Sequence, residues 1–347
     1  MSDSMRVMSE KPLNAETPAD RLRSWITAND VFFDRNQGQI PEKPVDLDDW
    51  ELTVDGELQK PLRLDFDDLG RMPKAIVSNT LECSGNGRSL LNKKAGGNPW
   101  TIGGVGNAVW GGVWLKHILS SAGLTDHAAH VAFEGMDTPL GKSMIKFIRS
   151  IPLAKAMDST LLAYEMNGAP LPLKHGYPLR ALALGWTGAN CVKWLKRITV
   201  LDRPYEGFFM DKVYRVFQKD ESPESGEVVK QIKLKAIITH PLPAQRLKAG
   251  RIIVLGAAYA GEAQITGVEV STDNGVSWHP AQFIGPNEPF AWRQWQYPWE
   301  AAQPGVYTLQ ARAMDSRGRM QPDAAQWNVL GYGNNGVQEH AIQVNIV

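Results

Sequence analysis

Cys83 and Arg88 bound the stretch best equipped for chemistry, Leu81-Glu82-Cys83-Ser84-Gly85-Asn86-Gly87-Arg88. The segment before it, residues 75–81, is rich in β-branched side chains and reads as a buried strand. A strand that empties into Cys-Ser-Gly-Asn-Gly sets a thiol at the exposed end of a sheet. Glycine there lets a ligand approach the backbone closely. Arg88 then either holds a thiolate down in pKa or binds an anion beside it. The competing reading is a small buried cysteine followed by an ordinary turn.

A second cluster spans residues 173–197. Lys174, His175, Arg180, Asn190, Lys193, Lys196 and Arg197 are threaded through apolar Leu179 to Leu184, Trp186 and Trp194. An unpaired buried ion costs roughly several kcal/mol, so cations in such a segment call for an anion, and a phosphorylated cofactor would satisfy them. The alternative is a row of outward-facing cations at alternating strand positions. Arg35 follows the aromatic pair Phe32-Phe33, and Tyr214 lies in a loop beyond Pro204. His117, His127 and His130 lack metal-ligand spacing. Gly103, Gly104 and Gly106 read as a second flexible turn, not a nucleotide fingerprint, because no strand-to-helix unit surrounds them.

The composition narrows the function classes. There are 37 basic and 37 acidic residues, so neither nucleic acid nor a polybasic membrane contact is indicated. Two cysteines exclude a disulfide framework, and neither Cys-x-x-Cys nor a haem-attachment motif is present. No apolar run is long enough to cross a bilayer, and the first residues lack a signal-peptide core. As it stands the sequence reads as cytoplasmic; a trimmed export signal would make it periplasmic. The length of 347 residues implies two domains.

Several elements must position these residues. Residues 1–20 read as polar and loosely held, with a helical turn over 18–26. Trp50 to Val54 alternates as a strand, and Leu64 to Gly70 reads as a short helix with a glycine stop. Residues 113–120 form an amphipathic helix, and Ile151 begins another. Residues 161–168 read as a strand entering an Asn167-Gly168 turn. The charged stretch 219–230 reads as a linker. From about residue 231 short alternating strands dominate. Asp273-Asn274-Gly275 marks a hairpin, and residues 307–313 and 342–346 alternate. These features predict an antiparallel sandwich of immunoglobulin-like type.

In this order the motifs resemble the sulfite oxidase family of molybdenum enzymes over about residues 30–347. The resemblance rests on the Cys83 turn, Phe133-Glu134-Gly135-Met136-Asp137, Ile151-Pro152-Leu153-Ala154-Lys155-Ala156-Met157, Leu162 to Gly168, His175-Gly176-Tyr177-Pro178-Leu179-Arg180 and Val192-Lys193-Trp194-Leu195. It implies an α+β chain: an N-terminal extension (1–25), a mixed α/β molybdopterin-binding catalytic domain (26–230) and an immunoglobulin-like dimerisation domain (231–347). It implies that Cys83 is the thiolate ligand of molybdenum, a soft donor suited to a metal that changes oxidation state. Asn36, Asp137, His175, Arg180 and Lys193 are implied to hold the molybdopterin. Arg35, Arg88, Trp100, Tyr214 and Arg293 are implied to line the substrate pocket, forked guanidinium groups binding a small oxyanion.

The activity the resemblance implies is oxidation of sulfite to sulfate. It also implies a homodimer, no haem within the chain, and electrons passing to a separate acceptor such as a cytochrome. The sequence departs from the animal members at Gln37 in place of a histidine, at Gly87 and Val109 in place of arginines, and at Val213 in place of an acid. These changes make the pocket less basic. The rival readings are the same fold acting on nitrate or a carrier-bound sulfane, a cofactor-free binding protein, and a cysteine hydrolase using Cys83.

Overall fold

The computed structural model describes residues 5–140 and 145–347. The strand Lys74–Glu82 runs from an exposed beginning to a fully buried end. It pairs antiparallel along its whole length with Val105–Trp114, and the ladder continues as the Cys83 N–H donates to the Gly104 carbonyl at 2.8 Å. The strand's end is therefore not exposed as the sequence suggested. Strands Thr160–Met166, Arg180–Ala183 and Ala169–Pro170 complete this five-stranded sheet. Gly106 lies inside the second strand rather than in a flexible turn. A Cβ there would sit 2.6 Å from the Phe32 ring, so glycine is what allows that ring to pack against the strand.

A second five-stranded sheet has the order Leu62–Leu64, Leu52–Gly56, Leu195–Leu201, His130–Gly135, Ile148–Pro152. Its one parallel pairing joins Leu195–Leu201 to Leu52–Gly56. The helices Leu115–Ala122 and Leu153–Ser159 pack with both sheets around a core that includes Leu52, Ile118, Phe133, Leu162 and Ile198. The helix Phe66–Gly70 opens on a capping box, Asp65 with Asp68. The Asn167-Gly168 turn forms as expected, with both residues at positive φ.

The remainder folds as two facing sheets. One has four strands, including Lys235–His240, Gly250–Tyr259 and Arg293–Ala301; the other has five, including Ile265–Ser271, Gly305–Asp315 and Ile342–Ile346. Trp295, Val254, Leu309, Val270 and Val344 fill the space between them, as the alternating pattern requires. The turn at Asn274-Gly275 has both residues at positive φ, but the strands pair farther out, at Glu269–Pro280 and Val270–His279.

The two units are tightly joined. Gly185 and Gly261, both at positive φ, touch backbone to backbone, a Cβ on either coming within 2.8 Å of the other's main chain. Lys155 reaches across to Glu262 at 2.8 Å. Residues 5–20 are not loose either; residues 1–4 lie outside the described residues. Strands Arg6–Glu10 and Leu13–Glu16 form a hairpin whose second strand is mostly buried, and the expected turn is the 3-10 helix Ala19–Arg23.

Candidate active site

Two clefts meet at Cys83. One is lined by Asn36, Asp137, His175, Arg180, Lys193 and Trp194 among others. The other is lined by Arg88, Trp100, Val213, Leu330 and Tyr332. Arg35, Gln37, Cys83 and Tyr214 belong to both. The thiol thus stands where an organic group seated on one side would meet a small molecule arriving from the other.

The Cys83 turn is held from three directions. The Asn86 N–H donates to the Cys83 carbonyl at 2.8 Å, closing the turn. The buried Glu82 carboxylate accepts from Lys235 Nζ at 2.6 Å, Tyr259 at 3.0 Å and Asn86 Nδ2 at 3.0 Å. Lys235 and Tyr259 come from the sandwich, as does the loop over residues 328–336. From that loop the Gly333 N–H donates to the Ser84 carbonyl at 2.8 Å, and Asn334 Nδ2 to the Gly87 carbonyl at 2.7 Å. Gly87, at φ 81°, takes a left-handed backbone that favours glycine, and a Cβ there would press on His340 at 3.0 Å and Asn334 at 3.1 Å. An arginine at this position would collide with that loop.

The segment after Phe32-Phe33 enters the site pinned by the N-terminal hairpin. Asn14 Oδ1 accepts from Arg35 at 3.1 Å and from the Asn36 N–H at 3.0 Å. Arg35 also donates to the Tyr214 hydroxyl at 3.4 Å, and Gln37 donates to the same oxygen at 2.7 Å. Burial works against the Arg35 charge, but the fields of Tyr214 and Cys83 outweigh it and raise its pKa. Gln37 is therefore a working partner of Tyr214. Asn14 was not foreseen, because nothing local marks an asparagine twenty-one residues upstream as a partner of Arg35.

The first cleft is short of negative charge. Lys193 donates to Asn36 Oδ1 and to the Lys174 carbonyl. Burial, with Arg180 second, pushes its ammonium down to about 7 despite Asp34 and Asp137. Burial pushes Arg180 down to about 10. Its guanidinium lies 5.1 Å from the Trp110 ring centroid and donates to the His175 carbonyl, while Nε has no partner in the protein. Burial raises the carboxyls of Asp34 and Asp137. His175 Nδ1 stands 3.6 Å from Asp34, a geometry that suggests an ion pair. Burial keeps the ring far below its usual pKa, so it is neutral at pH 7 and the pair is not ionic. Nε2 lies 3.0 Å from the Asn29 carbonyl, an acceptor only, and so carries the proton.

The second cleft carries the substrate-side candidates. Arg88 donates to the carbonyls of Leu330 at 2.7 Å and Asn98 at 2.8 Å. It threads past Gly85 and Gly97, whose Cβ atoms would lie 2.5 and 2.8 Å from its guanidinium. Trp100 is fully buried with its indole N–H unpartnered in the protein. Tyr214 takes a left-handed backbone, φ 56°, and stacks on Tyr332 at 5.5 Å with the planes 13° apart. Arg149, wholly buried on the strand Ile148–Pro152, lies 5.2 Å from the Tyr214 ring centroid. Tyr332 and Arg149 were missed. Arg149 carries the signal that flagged Arg180, a cation in an apolar strand; Tyr332 carries none.

The structure gathers every expected site residue but one. Arg293 lines neither cleft. It is the first residue of Arg293–Ala301, opposite Ala258, with its guanidinium 4.5 Å from the Phe283 ring centroid. The strand's alternation places the neighbouring Trp292 inside and turns Arg293 onto that ring, away from Cys83. Among the described residues no cluster of three or more His, Cys, Asp or Glu could hold a metal, and no helix is long and apolar enough to cross a membrane.

Residues 37–209 match the oxidoreductase molybdopterin binding domain, and residues 227–345 the Mo-co oxidoreductase dimerisation domain. The chain is 36% identical to mitochondrial sulfite oxidase of Rattus norvegicus over 99% of its own length and 66% of the relative's. It is 32% identical to sulfite oxidase of Arabidopsis thaliana, covering 95% and 92%. It is also 32% identical to nitrate reductase [NADH] 2 of Phaseolus vulgaris, covering 95% and 41%. It thus spans about two thirds of the length of the rat enzyme. The sulfane dehydrogenase SoxCD from Paracoccus pantotrophus superposes with a TM-score of 0.85 at 28% identity, covering 98% of this chain and 88% of that one. The Cys83 cleft, the sandwich behind it and these matches together place the chain in the sulfite oxidase family of molybdopterin-dependent oxidoreductases.

Proposed function

We propose that this protein oxidises sulfite to sulfate with oxygen taken from water, releasing two protons and passing the two electrons to a separate acceptor protein, and works as a homodimer through its sandwich. The observation that carries this reading is the convergence of Arg35, Gln37 and Tyr214 on Cys83 at the junction of the two clefts. Two further observations support the cofactor. The first cleft holds cations whose charge no carboxylate balances fully, and Arg180 Nε is buried without a partner. That donor set fits a phosphate-bearing pterin, with Lys193, Arg180 and Asn36 placed to hold it and Cys83 to supply a soft sulfur ligand. When bound, the molybdenum supplies the two-electron redox chemistry.

The chain's own residues do the rest. Arg35 and Arg88 bind and orient the anion as it reaches Cys83, and the Trp100 N–H offers a further donor. Tyr214, its hydroxyl fixed by Gln37 and Arg35, is poised to donate or accept a proton beside the thiol. Tyr332, contributed by the sandwich, stacks on the Tyr214 ring and forms part of the cleft wall.

One test of the cofactor-binding residues uses the cofactor-free protein. Burial pushes the Lys193 ammonium down to about 7, so above that pH an anion entering the first cleft draws a proton onto Lys193. Sulfate, whose charge is constant from pH 7 to 9, will bind there up to about tenfold more weakly per pH unit. The Lys193→Met protein will show no such slope; a slope that persists in it removes Lys193 from the site.

Activity is tested by molybdenum analysis of the purified protein, paired with reduction of an artificial acceptor by sulfite or thiosulfate and oxidation of a reduced dye by nitrate. Molybdenum near one per chain with turnover on sulfite supports the proposal. The likeness to a sulfane dehydrogenase favours a second reading, a carrier-bound sulfane. Molybdenum with turnover on thiosulfate alone would replace the first reading by the second.

A further inference from the structure

Among the described residues, Arg149 is the one buried guanidinium near the site that the sulfite reading leaves without a task. Its hydrogen-bond partners are the Phe209 carbonyl and Asn190 Oδ1, neither of them charged, and Nε has no partner in the protein. Burial pushes its pKa to about 10, still well above neutrality, so the charge stays on. A cation held in this way is costly unless its field is used. It lies against the Tyr214 ring, on a residue whose left-handed backbone needs outside support. The other ring of the stacked pair, Tyr332, carries the Arg88 guanidinium 5.3 Å from its centroid. Arg149 itself lines neither cleft, so it touches no substrate.

We propose that Arg149 is a positioning and specificity-determining residue: it holds the Tyr214 ring in place and adds a buried positive field that favours doubly charged oxyanions over singly charged ones. The inference rests on the reading of the second cleft as an oxyanion site. It supplements the neutral Gln37 of the cleft wall with a cation supplied from behind the tyrosine. The discrimination follows from Coulomb's law. A fixed charge acts on a dianion with twice the energy it exerts on a monoanion, so removing it weakens the dianion by the square of the factor lost by the monoanion.

The test measures sulfate and nitrate binding to the molybdenum-loaded protein by calorimetry, with steady-state kinetics on sulfite alongside. Arg149→Gln keeps a donor for Phe209 or Asn190 and removes the charge. It will weaken sulfate on the order of tenfold and nitrate roughly threefold. Arg149→Lys keeps the charge and loses the planar contact with the ring. It will preserve the sulfate-to-nitrate ratio and the KM for sulfite while kcat falls. Equal weakening of both anions in the Gln variant, or no weakening, overturns the proposal. If the Gln variant does not fold, a changed anion ratio in the Lys variant overturns it instead. Wild-type protein that binds no sulfate overturns the oxyanion-site reading and this inference with it; wild-type binding that Arg149→Gln leaves unaltered overturns this inference alone.

Discussion

Cys83→Ser will abolish turnover while leaving the fold intact. The loss will exceed the roughly 10³-fold that removing a single preorganised electrostatic contact costs, because the substitution replaces the soft sulfur at the junction of both clefts with a hard oxygen. The fold survives because the turn is held by its neighbours and not by the thiol. The Cys83 N–H bonds to Gly104, its carbonyl accepts from Asn86, and Ser84, Gly87 and Arg88 are gripped by the sandwich loop. Serine is almost the same size, so the melting temperature will move by less than about 4 °C, the equivalent of about 1 kcal/mol in a chain of this size. Enzyme assay and calorimetry on one preparation decide it. Full activity in the variant would remove Cys83 from the chemistry, and an unfolded variant would mean that the sulfur is structural.

The largest loss of stability will come from Lys235→Met. Lys235 and Glu82 side chains are 1% and 5% exposed, 2.6 Å apart. The same carboxylate oxygen takes bonds from Tyr259 and Asn86. Burial and the Glu82 charge push the Tyr259 phenol well above its usual pKa, so it remains a neutral donor. Removing the ammonium leaves the carboxylate buried without a counter-charge, at a cost of about 3–5 kcal/mol. At about 2–4 °C per kcal/mol the midpoint falls by roughly 6–20 °C. Adding Glu82→Gln to Lys235→Met removes the stranded charge and will recover most of the loss. A single variant that melts within 1 °C of wild type would show that the pair contributes nothing.

The legible parts of the site were those whose chemistry sits inside one short stretch. The Cys83 turn announces itself by two glycines, Gly85 and Gly87, just after a thiol, and His175, Arg180 and Lys193 by charge inside an apolar run. The sandwich was legible because alternation repeats along Gly305–Asp315 and Ile342–Ile346. What escaped was set by packing between distant segments. Asn14 sits in a hairpin that reads as a polar tail, and only its burial beside Arg35 gives it a role. Tyr332 is an aromatic in a glycine-rich loop, indistinguishable by sequence from a surface tyrosine. Arg293 was assigned to the pocket by the resemblance alone, and the sheet register turns it onto Phe283, outside both clefts.

The grip of the sandwich loop on the Cys83 turn also sets a schedule. Arg88 and the Leu330 carbonyl it bonds are 242 residues apart, and Asn334 is 247 residues from Gly87. At about 5–20 residues per second, a ribosome needs roughly 12–50 s to make the second partner after the first has emerged. Throughout that interval the nascent turn has its glycines and its thiol but not the loop that closes over them. The centre is thus finished only when the loop over residues 328–336 has left the ribosome, and a message truncated anywhere before the codon for Leu330 yields a first domain whose site cannot close.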